Sequence, residues 1–269
     1  MKKKEIEIVF ITDAHLVYEN KFLGIDTFKA FESVIDEVES KYKNADFYIF
    51  GGDLIEDQKK ESFDFFWSKL TTNSMIEKSL FTRGNHDIEK SFFDKLFTNQ
   101  NTNLNCESWQ LININTYSEG NIYGEVSDKQ INLINEISKR YKNKNLMIYM
   151  HHNLFKTDSP WLDKYITRNH ENLSIEISSL SNIKLVISGH IHQEACNTLS
   201  GTTFISCPST SFHFVPGKEK YTLDKKNPGY TVFSLFSDGT FDYEHIRTQG
   251  FYGEPKKNPI NENFKLDGK

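Results

Sequence analysis

Five short clusters of metal-binding residue types recur along the sequence, each directly after an apolar, strand-like run. The clusters are Asp13-Ala14-His15, Gly51-Gly52-Asp53, Gly84-Asn85-His86-Asp87, His151-His152 and Gly189-His190-Ile191-His192. In α/β proteins, ligands bind beyond the carboxyl ends of the strands, so we expect all five loops to open onto one crevice. Glycine suits such tight strand exits because it adopts backbone angles that other residues avoid. The pattern therefore predicts an α/β protein with a site at the edge of its sheets.

Strand-like runs alternate with helix-like stretches, which favours a layered α/β fold. The predicted strands of the first two thirds are Glu5–Ile11, Asp46–Phe50, Ser79–Thr82, Trp109–Asn115, Leu146–Met150 and Lys184–Ser188. Helices are predicted over residues 28–42 and 61–70 and from Ser127, where Gln130 completes a capping box. The last third predicts a second, more antiparallel sheet, because turn signals separate its strand-like runs. These runs are Thr202–Cys207, Tyr230–Phe236 and Phe241–Ile246.

Composition excludes several classes of protein. No apolar run approaches the ~20 residues of a membrane-spanning helix. The basic start Met1–Lys4 resembles that of a signal peptide, but the segment after it is too short and too acidic for the apolar region of one. The three cysteines show no CxxC spacing, which argues against a disulfide framework or a thiolate metal site. A net charge of −5 provides no basic field for nucleic acid. We expect a cytoplasmic protein that binds neither membranes nor nucleic acid, with one domain over residues 1–248 and an extended tail over 249–269.

Each cluster alone has an ordinary explanation, since an aspartate and a histidine around a turn are common in proteins that bind no metal. The pair His190 and His192 is more specific, because period-two spacing aims both rings in one direction along an extended segment. Five clusters in order, each at the end of a strand-like run, have no ordinary explanation. Together they predict a metal centre.

The types of ligand indicate which metals bind. Oxygen and imidazole ligands without thiolates suit iron, manganese, zinc or cobalt. Two such ions ~3.5–4 Å apart need an anion between them, and Asp53 is the natural bridging carboxylate. Neutral ligands at the other positions preserve the Lewis acidity of the metals; they are His15, Asn85, His151, His190 and His192.

The order of the clusters, DxH, GD, GNHD, H and GHxH, resembles that of the calcineurin-like metallophosphoesterase superfamily. This resemblance implies a four-layer α-β-β-α sandwich, in which helices flank two mixed β-sheets and a dimetal site lies at one edge. One metal, as the resemblance implies, takes Asp13, His15, Asp53 and His192. The other takes Asp53, Asn85, His151 and His190. The pair is either two divalent ions or Fe(III) with a divalent ion.

Segments that no metal requires resemble the bacterial class III 3′,5′-cyclic AMP phosphodiesterases, from about Ile8 to Arg247. They include Leu23-Gly24-Ile25-Asp26-Thr27, Trp161-Leu162-Asp163, Arg168-Asn169, His192-Gln193-Glu194, Pro208-Ser209-Thr210 and Pro228-Gly229-Tyr230. The resemblance implies a small-molecule phosphodiester substrate and hydrolysis of cyclic AMP to 5′-AMP. The oligomeric state stays open, with a homodimer as one option. The sequence departs from this family after His152, where Asn153-Leu154-Phe155 replaces prolines, and at His213, where a glutamine is usual.

The resemblance also implies a mechanism, in which a metal-activated water attacks phosphorus while Asn85 and the metals hold the phosphoryl oxygens. His86 is predicted to protonate the leaving alkoxide and Asp87 to orient His86; a capping pair at a helix start is the alternative. Further candidates for substrate contacts are His152, Arg168, Asn169 and His213. For His152 the alternative is a structural role, and for Arg168 it is a salt bridge on a surface helix.

Three other functions remain open. Another phosphoesterase, acting on glycerophosphodiesters, nucleotide pyrophosphates or phosphomonoesters, would share every metal ligand. A nuclease would share them too, but it conflicts with the acidic net charge. A non-catalytic scaffold of the same fold typically lacks some of the ligands, whereas all seven positions are intact here.

Overall fold

A computed structural model describes residues 3–100 and 106–256 of the chain. The first sheet has the strand order β12-β11-β1-β2-β3, and the second has the order β4-β5-β6-β8-β7. The strands are β1 Lys4–Ile11, β2 Phe47–Phe50, β3 Ser79–Phe81, β4 Trp109–Ile114, β5 Asn145–Met150, β6 Ile183–Ser188, β7 Ala195–Leu199, β8 Thr202–Ser206, β9 His213–Phe214, β10 Leu223–Asp224, β11 Gly229–Phe236 and β12 Phe241–Arg247. The helices are α1 Thr27–Tyr42, α2 Lys60–Thr72, α3 Lys90–Asn99, α4 Asp128–Arg140 and α5 His170–Ser179, with a 3₁₀ turn at Ile76–Lys78.

Strand β1 is an example of why the buried strands appear in the sequence as continuous apolar runs. Its residues Val9 and Ile11 pack against helices α1, α2 and α3. Its alternate residues Ile8 and Phe10 face the second sheet, where they meet residues of β4, β5 and β6. Successive side chains of a strand point to opposite faces, so a strand covered on both faces must be apolar at every position. Helices α4 and α5 cover the outer face of the second sheet.

Helices α1 and α4 begin at positions capped by a side chain. The side chain of Asp26 accepts a hydrogen bond from the Lys29 backbone N–H at 3.0 Å and so caps α1. Ser127 caps α4 in the same way through the Gln130 backbone N–H, as the capping box predicts. Such a cap stabilises a helix by ~1 kcal/mol.

The four-layer sandwich predicted for the chain is confirmed, since helices flank two mixed sheets. The prediction of a separate antiparallel sheet in the last third is wrong. Strand β8 pairs in parallel with β6 in the second sheet, and β11 pairs antiparallel with β1 in the first. Strand pairing depends on contacts distant in sequence, which turn signals do not reveal. The sequence also gave no prediction of α3, α5 or β7.

The predicted tail begins after Thr248. Its residues 249–256 run without helix or strand along the surface, and residues 257–269 lie outside the described part of the chain. Within the ranges that the structure describes, no helix combines the length and apolar character that a membrane crossing requires.

Candidate metal centre

The carboxyl ends of five strands meet at one edge of the two sheets. Loops after β1, β2, β3, β5 and β6 carry the clusters that the sequence singles out. The predicted ligands of aspartate and histidine type are almost fully buried there: Asp13, His15, Asp53, His151, His190 and His192. Parallel strands deliver their ends to the same edge, which is why residues up to 177 positions apart come into contact.

One group of ligand atoms comes from Asp13, His15 and His192, which lie within 4.8 Å of one another. Nε2 of His192 is 3.3 Å from Oδ1 of Asp13 and 3.1 Å from Nε2 of His15. Two imidazole nitrogens and a carboxylate oxygen therefore converge on one point, as the ligand set of a first metal ion would.

Asp53 lies between this group and a second one. Its Oδ2 is 3.7 Å from Nε2 of His15 and 3.2 Å from Nε2 of His151. The ring of His190 stands 5.1 Å from the ring of His151. The position of Asp53 between the two histidine groups is the one that a carboxylate bridging two ions requires.

Four histidine rings are oriented by hydrogen bonds at the nitrogen that faces away from the cluster. Nδ1 of His15 is 2.7 Å from Oε2 of Glu56, and Nδ1 of His151 is 2.7 Å from the Gly51 carbonyl. The other two rings use the carbonyls of Tyr165, 2.9 Å from Nε2 of His190, and Phe212, 2.8 Å from Nδ1 of His192. Metal-ligating histidines are held in this way, which fixes the tautomer with a lone pair toward the metal.

Three buried polar atoms in the cluster have no hydrogen-bond partner among the described residues. They are Nε2 of His151, Nδ1 of His190 and Oδ1 of Asn85. An unsatisfied buried group costs ~1–3 kcal/mol, and all three are metal-ligand atoms of the second predicted set. A metal ion would satisfy them together, so the residues present fit a dimetal centre.

The ionisable groups of the cluster differ in the direction of their pKa shifts. Burial lowers the pKa of His190 to about 3, with help from the neighbouring His151, so its ring is neutral near pH 7. Burial also lowers the pKa of His151, but Asp53 outweighs that effect and raises it to about 9. Burial opposes ionisation of Asp53, yet the surrounding histidines hold its pKa well below the usual value. The cluster thus offers a carboxylate and a free imidazole lone pair at neutral pH.

The loops that hold the ligands have unusual backbone geometry. Positive φ angles occur at Asp13 (57°), His15 (44°), Asp53 (52°), His190 (67°) and His192 (50°). This region is uncommon for residues other than glycine, although asparagine, aspartate and histidine enter it more often than most. The turns bend each side chain back toward the crevice instead of along the strand.

Gly84 lies where one of these loops approaches another. A Cβ atom at this position would be 2.1 Å from Oδ1 of Asp53. Any larger residue would therefore displace the carboxylate proposed to bridge the metals. This close approach explains why the motif has glycine at position 84.

His86 lies beside the cluster, and its ring is oriented by a residue other than Asp87. Nδ1 of His86 is 2.9 Å from Oε2 of Glu56. The Asp87 carboxylate instead accepts hydrogen bonds from the backbone N–H groups of Asp53 at 2.6 Å, Leu54 at 2.8 Å and Gly84 at 2.9 Å. Asp87 ties two ligand loops together, and Glu56 orients His86. This corrects the role predicted for Asp87.

The alternative of a capping pair is wrong as well, because the residue that caps α3 is Glu89. The sequence held a weak signal for Glu56, since it follows Asp53 by three positions on the same loop. A carboxylate there has many possible partners, and only the folded chain selects His15 and His86.

His152 is a buried structural residue. Its Nδ1 is 2.7 Å from the hydroxyl of Thr116, and its Nε2 is 2.9 Å from the Ile122 carbonyl. Both ring nitrogens are thus used within the protein. The predicted contact of His152 with substrate is corrected in favour of the structural alternative.

The other three candidates for substrate contact lie away from the cleft. The guanidinium of Arg168 stacks on the Tyr123 ring at 4.7 Å, a cation–π contact in place of the predicted salt bridge. Asn169 precedes α5 and donates to the Val126 carbonyl at 3.2 Å.

His213 is buried and accepts a hydrogen bond from Arg247. Side chains alternate along its extended segment, so His213 faces away from the side that Phe212 and Phe214 occupy. These placements correct all three predictions.

A cleft of about 830 Å³ opens directly over the cluster. One side is polar and includes His15, Asp53, Glu56, Asn85, His86, His190 and His192. The rest of the lining is apolar and mainly aromatic, and it comprises Phe22, Leu23, Trp161, Leu162, Phe212, Phe214 and Tyr221. Trp161 meets Phe214 and Tyr221 with ring centroids 4.9 and 5.0 Å apart. Sequence reasoning missed this wall, since its residues come from four separate segments.

Comparison with known proteins agrees with the geometry. The profile of the family described as calcineurin-like phosphoesterase matches residues 6–194. The chain is 29% identical over 258 residues to a 3′,5′-cyclic adenosine monophosphate phosphodiesterase from Haemophilus influenzae, covering 92% of each chain. It is 27% identical to a 3′,5′-cyclic-nucleotide phosphodiesterase from Nostoc, covering 89% of this chain and 91% of that protein.

Among solved structures, a dimetal phosphatase from Danio rerio is similar, with a TM-score of 0.65 at 12% identity. The match covers 87% of this chain and 94% of the phosphatase. At this level of identity the likeness concerns the fold alone.

Proposed function

The chain belongs to the calcineurin-like phosphoesterase family, and we propose that it hydrolyses 3′,5′-cyclic AMP to 5′-AMP. The family comprises hydrolases of phosphate esters that use a dimetal centre, and the histidine and aspartate clusters of this chain match that chemistry. Relatives named for cyclic nucleotide hydrolysis span about nine tenths of the chain. They support the choice of cyclic AMP over other esters.

The single observation that carries the proposal is the mixed lining of the cleft, which is polar at the metal centre and aromatic beside it. Its polar side suits a phosphodiester, and its aromatic side, formed in part by Phe22, Trp161 and Tyr221, suits a planar base. Stacking of a base on an aromatic side chain contributes ~1–3 kcal/mol.

The proposed metal ligands form two groups, which match the two clusters of ligand atoms in the structure. Asp13, His15 and His192 would hold one ion, and Asn85, His151 and His190 the other, with Asp53 between them. Two such ions, when bound, polarise phosphoryl oxygens and lower the pKa of a water molecule at the site.

His86 is the proposed general acid. Burial lowers its pKa, but Glu56 and Asp53 outweigh that effect and raise it to about 10, so the ring carries its proton at neutral pH. It lines the cleft and is fixed at Nδ1 by Glu56, which leaves Nε2–H to donate. In the reaction, a water molecule gives up a proton to solvent as its oxygen bonds to phosphorus and the bond from phosphorus to O3′ breaks. O3′ takes the proton of His86, and His86 regains a proton from solvent.

Two rival functions fit the cleft less well. A scaffold has no need of three unpartnered buried ligand atoms, each of which costs free energy when left unsatisfied. A nuclease requires a surface that offsets backbone phosphates, whereas the chain carries a net charge of −5.

A turnover screen tests the proposal. Purified protein loaded with manganese, iron, zinc or cobalt is assayed on cyclic AMP, cyclic GMP, glycerophosphocholine, p-nitrophenyl phosphate and bis(p-nitrophenyl) phosphate. We expect metal-dependent conversion of cyclic AMP to 5′-AMP, without 3′-AMP, at a higher kcat/KM than glycerophosphocholine. Strong turnover of another ester with none of cyclic AMP under all four metals would show that the substrate is different.

A further inference from the structure

The chain after β12 returns to the wall of the cleft. We name residues 250–256 the C-terminal strap. Its Tyr252 carbonyl accepts a hydrogen bond from the Asp26 N–H at 2.7 Å, and the Lys256 N–H donates to the Leu23 carbonyl at 2.9 Å. Ile25 and Gly253 form an antiparallel bridge between these two bonds. The strap is therefore paired, backbone to backbone, with the segment that carries Phe22 and Leu23.

The side chain of Tyr252 anchors the strap. It is 5% exposed and packs in the same cluster as Leu23, Ile25, Leu162 and Phe214, of which Leu23, Leu162 and Phe214 line the cleft. Its hydroxyl lies 2.7 Å from the Ser33 hydroxyl on α1. The strap thus shares one apolar cluster with the wall of the cleft.

The paired segment is a tight turn under strain. Phe22 and Ile25 exchange backbone hydrogen bonds of 2.9 and 2.8 Å, with positive φ at Leu23 (52°) and Gly24 (94°) between them. A turn of this type suits glycine, asparagine or aspartate at both central positions, and a bulky leucine there is strained. Such strain persists only where the surrounding structure over-determines the conformation, and here that structure is the strap.

Contact between the turn and the strap is close. A Cβ atom added at Gly24 would lie 2.1 Å from the Glu254 carbonyl oxygen, and one added at Gly253 would lie 2.2 Å from the Gly24 carbonyl oxygen. Neither glycine can be replaced while both backbones stay where they are.

We propose that the C-terminal strap positions the substrate, by holding Phe22 and Leu23 in the wall that the base of the nucleotide contacts. Phe22 packs against the rings of Phe212 at 5.5 Å and His15 at 5.8 Å, so its position shapes the cleft where the apolar wall meets the metal centre. Residues of the strap touch none of the proposed metal ligands in these contacts. The strap reaches the metal ligands only through the contact of Phe22 with His15, so its main effect is on binding of the nucleotide. This inference rests on the proposed function, because it assumes that the wall binds a base.

Two variants disrupt the contact between the turn and the strap, and both are tested in the full-length, manganese-loaded protein. Gly24→Ala forces the two backbones apart. Lys256→Pro removes the N–H that bonds to Leu23 and fixes the backbone φ there at about −65°. Gly201→Ala is the matched control, because Gly201 has a similar φ of 88° with nothing within 4 Å of an added Cβ. The control reproduces the backbone strain of the first variant without its clash.

We expect Gly24→Ala to raise KM for cyclic AMP about tenfold or more and Lys256→Pro to raise it several-fold. Both should leave kcat and the content of two metal ions unchanged, since loss of uniform binding raises KM alone. Inhibition by 5′-AMP should weaken by the same factor as KM rises. Gly201→Ala should stay within twofold of the parent in all four measurements.

An unchanged KM in both strap variants, or a fall in kcat or metal content equal to the change in KM, would overturn the inference and make the strap a purely structural element. If the parent protein fails to hydrolyse cyclic AMP, the proposed function is wrong, and the same variants are then compared by KM for bis(p-nitrophenyl) phosphate. Its aromatic rings would meet the same wall, so a rise in that KM still supports the strap and a constant KM still refutes it.

Discussion

Replacing Glu56 with glutamine removes the carboxylate that orients His86, and we expect it to slow hydrolysis of cyclic AMP. Oε2 of Glu56 is 2.9 Å from Nδ1 of His86, and both side chains are mostly buried, at 18% and 21% exposed. A hydrogen bond to a charged group contributes ~1.5–3 kcal/mol, and ~1.4 kcal/mol corresponds to a tenfold change in rate. The expected loss in kcat is therefore roughly 10- to 150-fold, with the shape of the residue retained.

The leaving group identifies the step that is affected. A ribose alkoxide needs a proton as its bond to phosphorus breaks, whereas nitrophenolate leaves without one. Hydrolysis of bis(p-nitrophenyl) phosphate should therefore slow no more than a few-fold in Glu56→Gln. The loss of rate in His86→Ala measures the whole contribution of the general acid, which is typically ~10²–10⁴-fold. Because Glu56 acts through His86, the double variant should be no slower than His86→Ala alone.

A control is needed because Glu56 also holds His15, at 2.7 Å. Loss of such a supporting residue typically weakens metal binding ~10–100-fold, so both substrates are assayed at saturating manganese and the bound metal is counted. Equal slowing of the two substrates with full metal content would refute the acid role and leave His86 as a group that grips phosphate. Additive losses in the double variant would show that Glu56 acts through another residue.

Three further predictions concern the ligands and the wall. Asp53→Asn should lower bound metal below two ions and slow all substrates at least ~100-fold, because metal ions supply several kcal/mol of transition-state stabilisation; metal analysis and kcat check this. His151→Ala should lose metal, whereas His152→Ala should keep it and unfold at a lower Tm, being ~1–3 kcal/mol less stable through two lost hydrogen bonds. Trp161→Ala should raise KM for cyclic AMP and cyclic GMP about equally, by roughly tenfold, since stacking engages the face of either base.

The positions of the ligands could be predicted from the sequence because two features can be read from it directly. These are the succession of strands along the chain and the residue types in the loop after each strand. Each cluster follows an apolar run, and parallel strands place their carboxyl ends on one edge. Asp53 and His190 therefore line the same site as expected, although they lie 137 positions apart in the sequence. Only the order of the motifs was needed, without knowledge of which strands are neighbours.

Partners of the side chains could not be predicted in the same way. His86 and Asp87 are adjacent in sequence, yet His86 turns to Glu56 while Asp87 turns to backbone N–H groups. His213 lies between two wall residues, yet it faces Arg247. In both cases the deciding quantity is the direction of a side chain, which follows from backbone angles and from packing against distant segments.

The backbone angles explain why the ligand residues need the whole fold around them. Five of them have positive φ, and each non-glycine residue in that region costs on the order of 1 kcal/mol or more. Their sum is a sizeable part of the ~5–15 kcal/mol by which a folded protein is stable. Neither the loops nor their sequences can hold such geometry alone. The conformation persists because backbone hydrogen bonds join the loops, such as His15 N–H to the Asp53 carbonyl at 2.9 Å and Gly189 N–H to the His151 carbonyl at 3.0 Å. The fold therefore stabilises a site whose strained loops would relax in isolation.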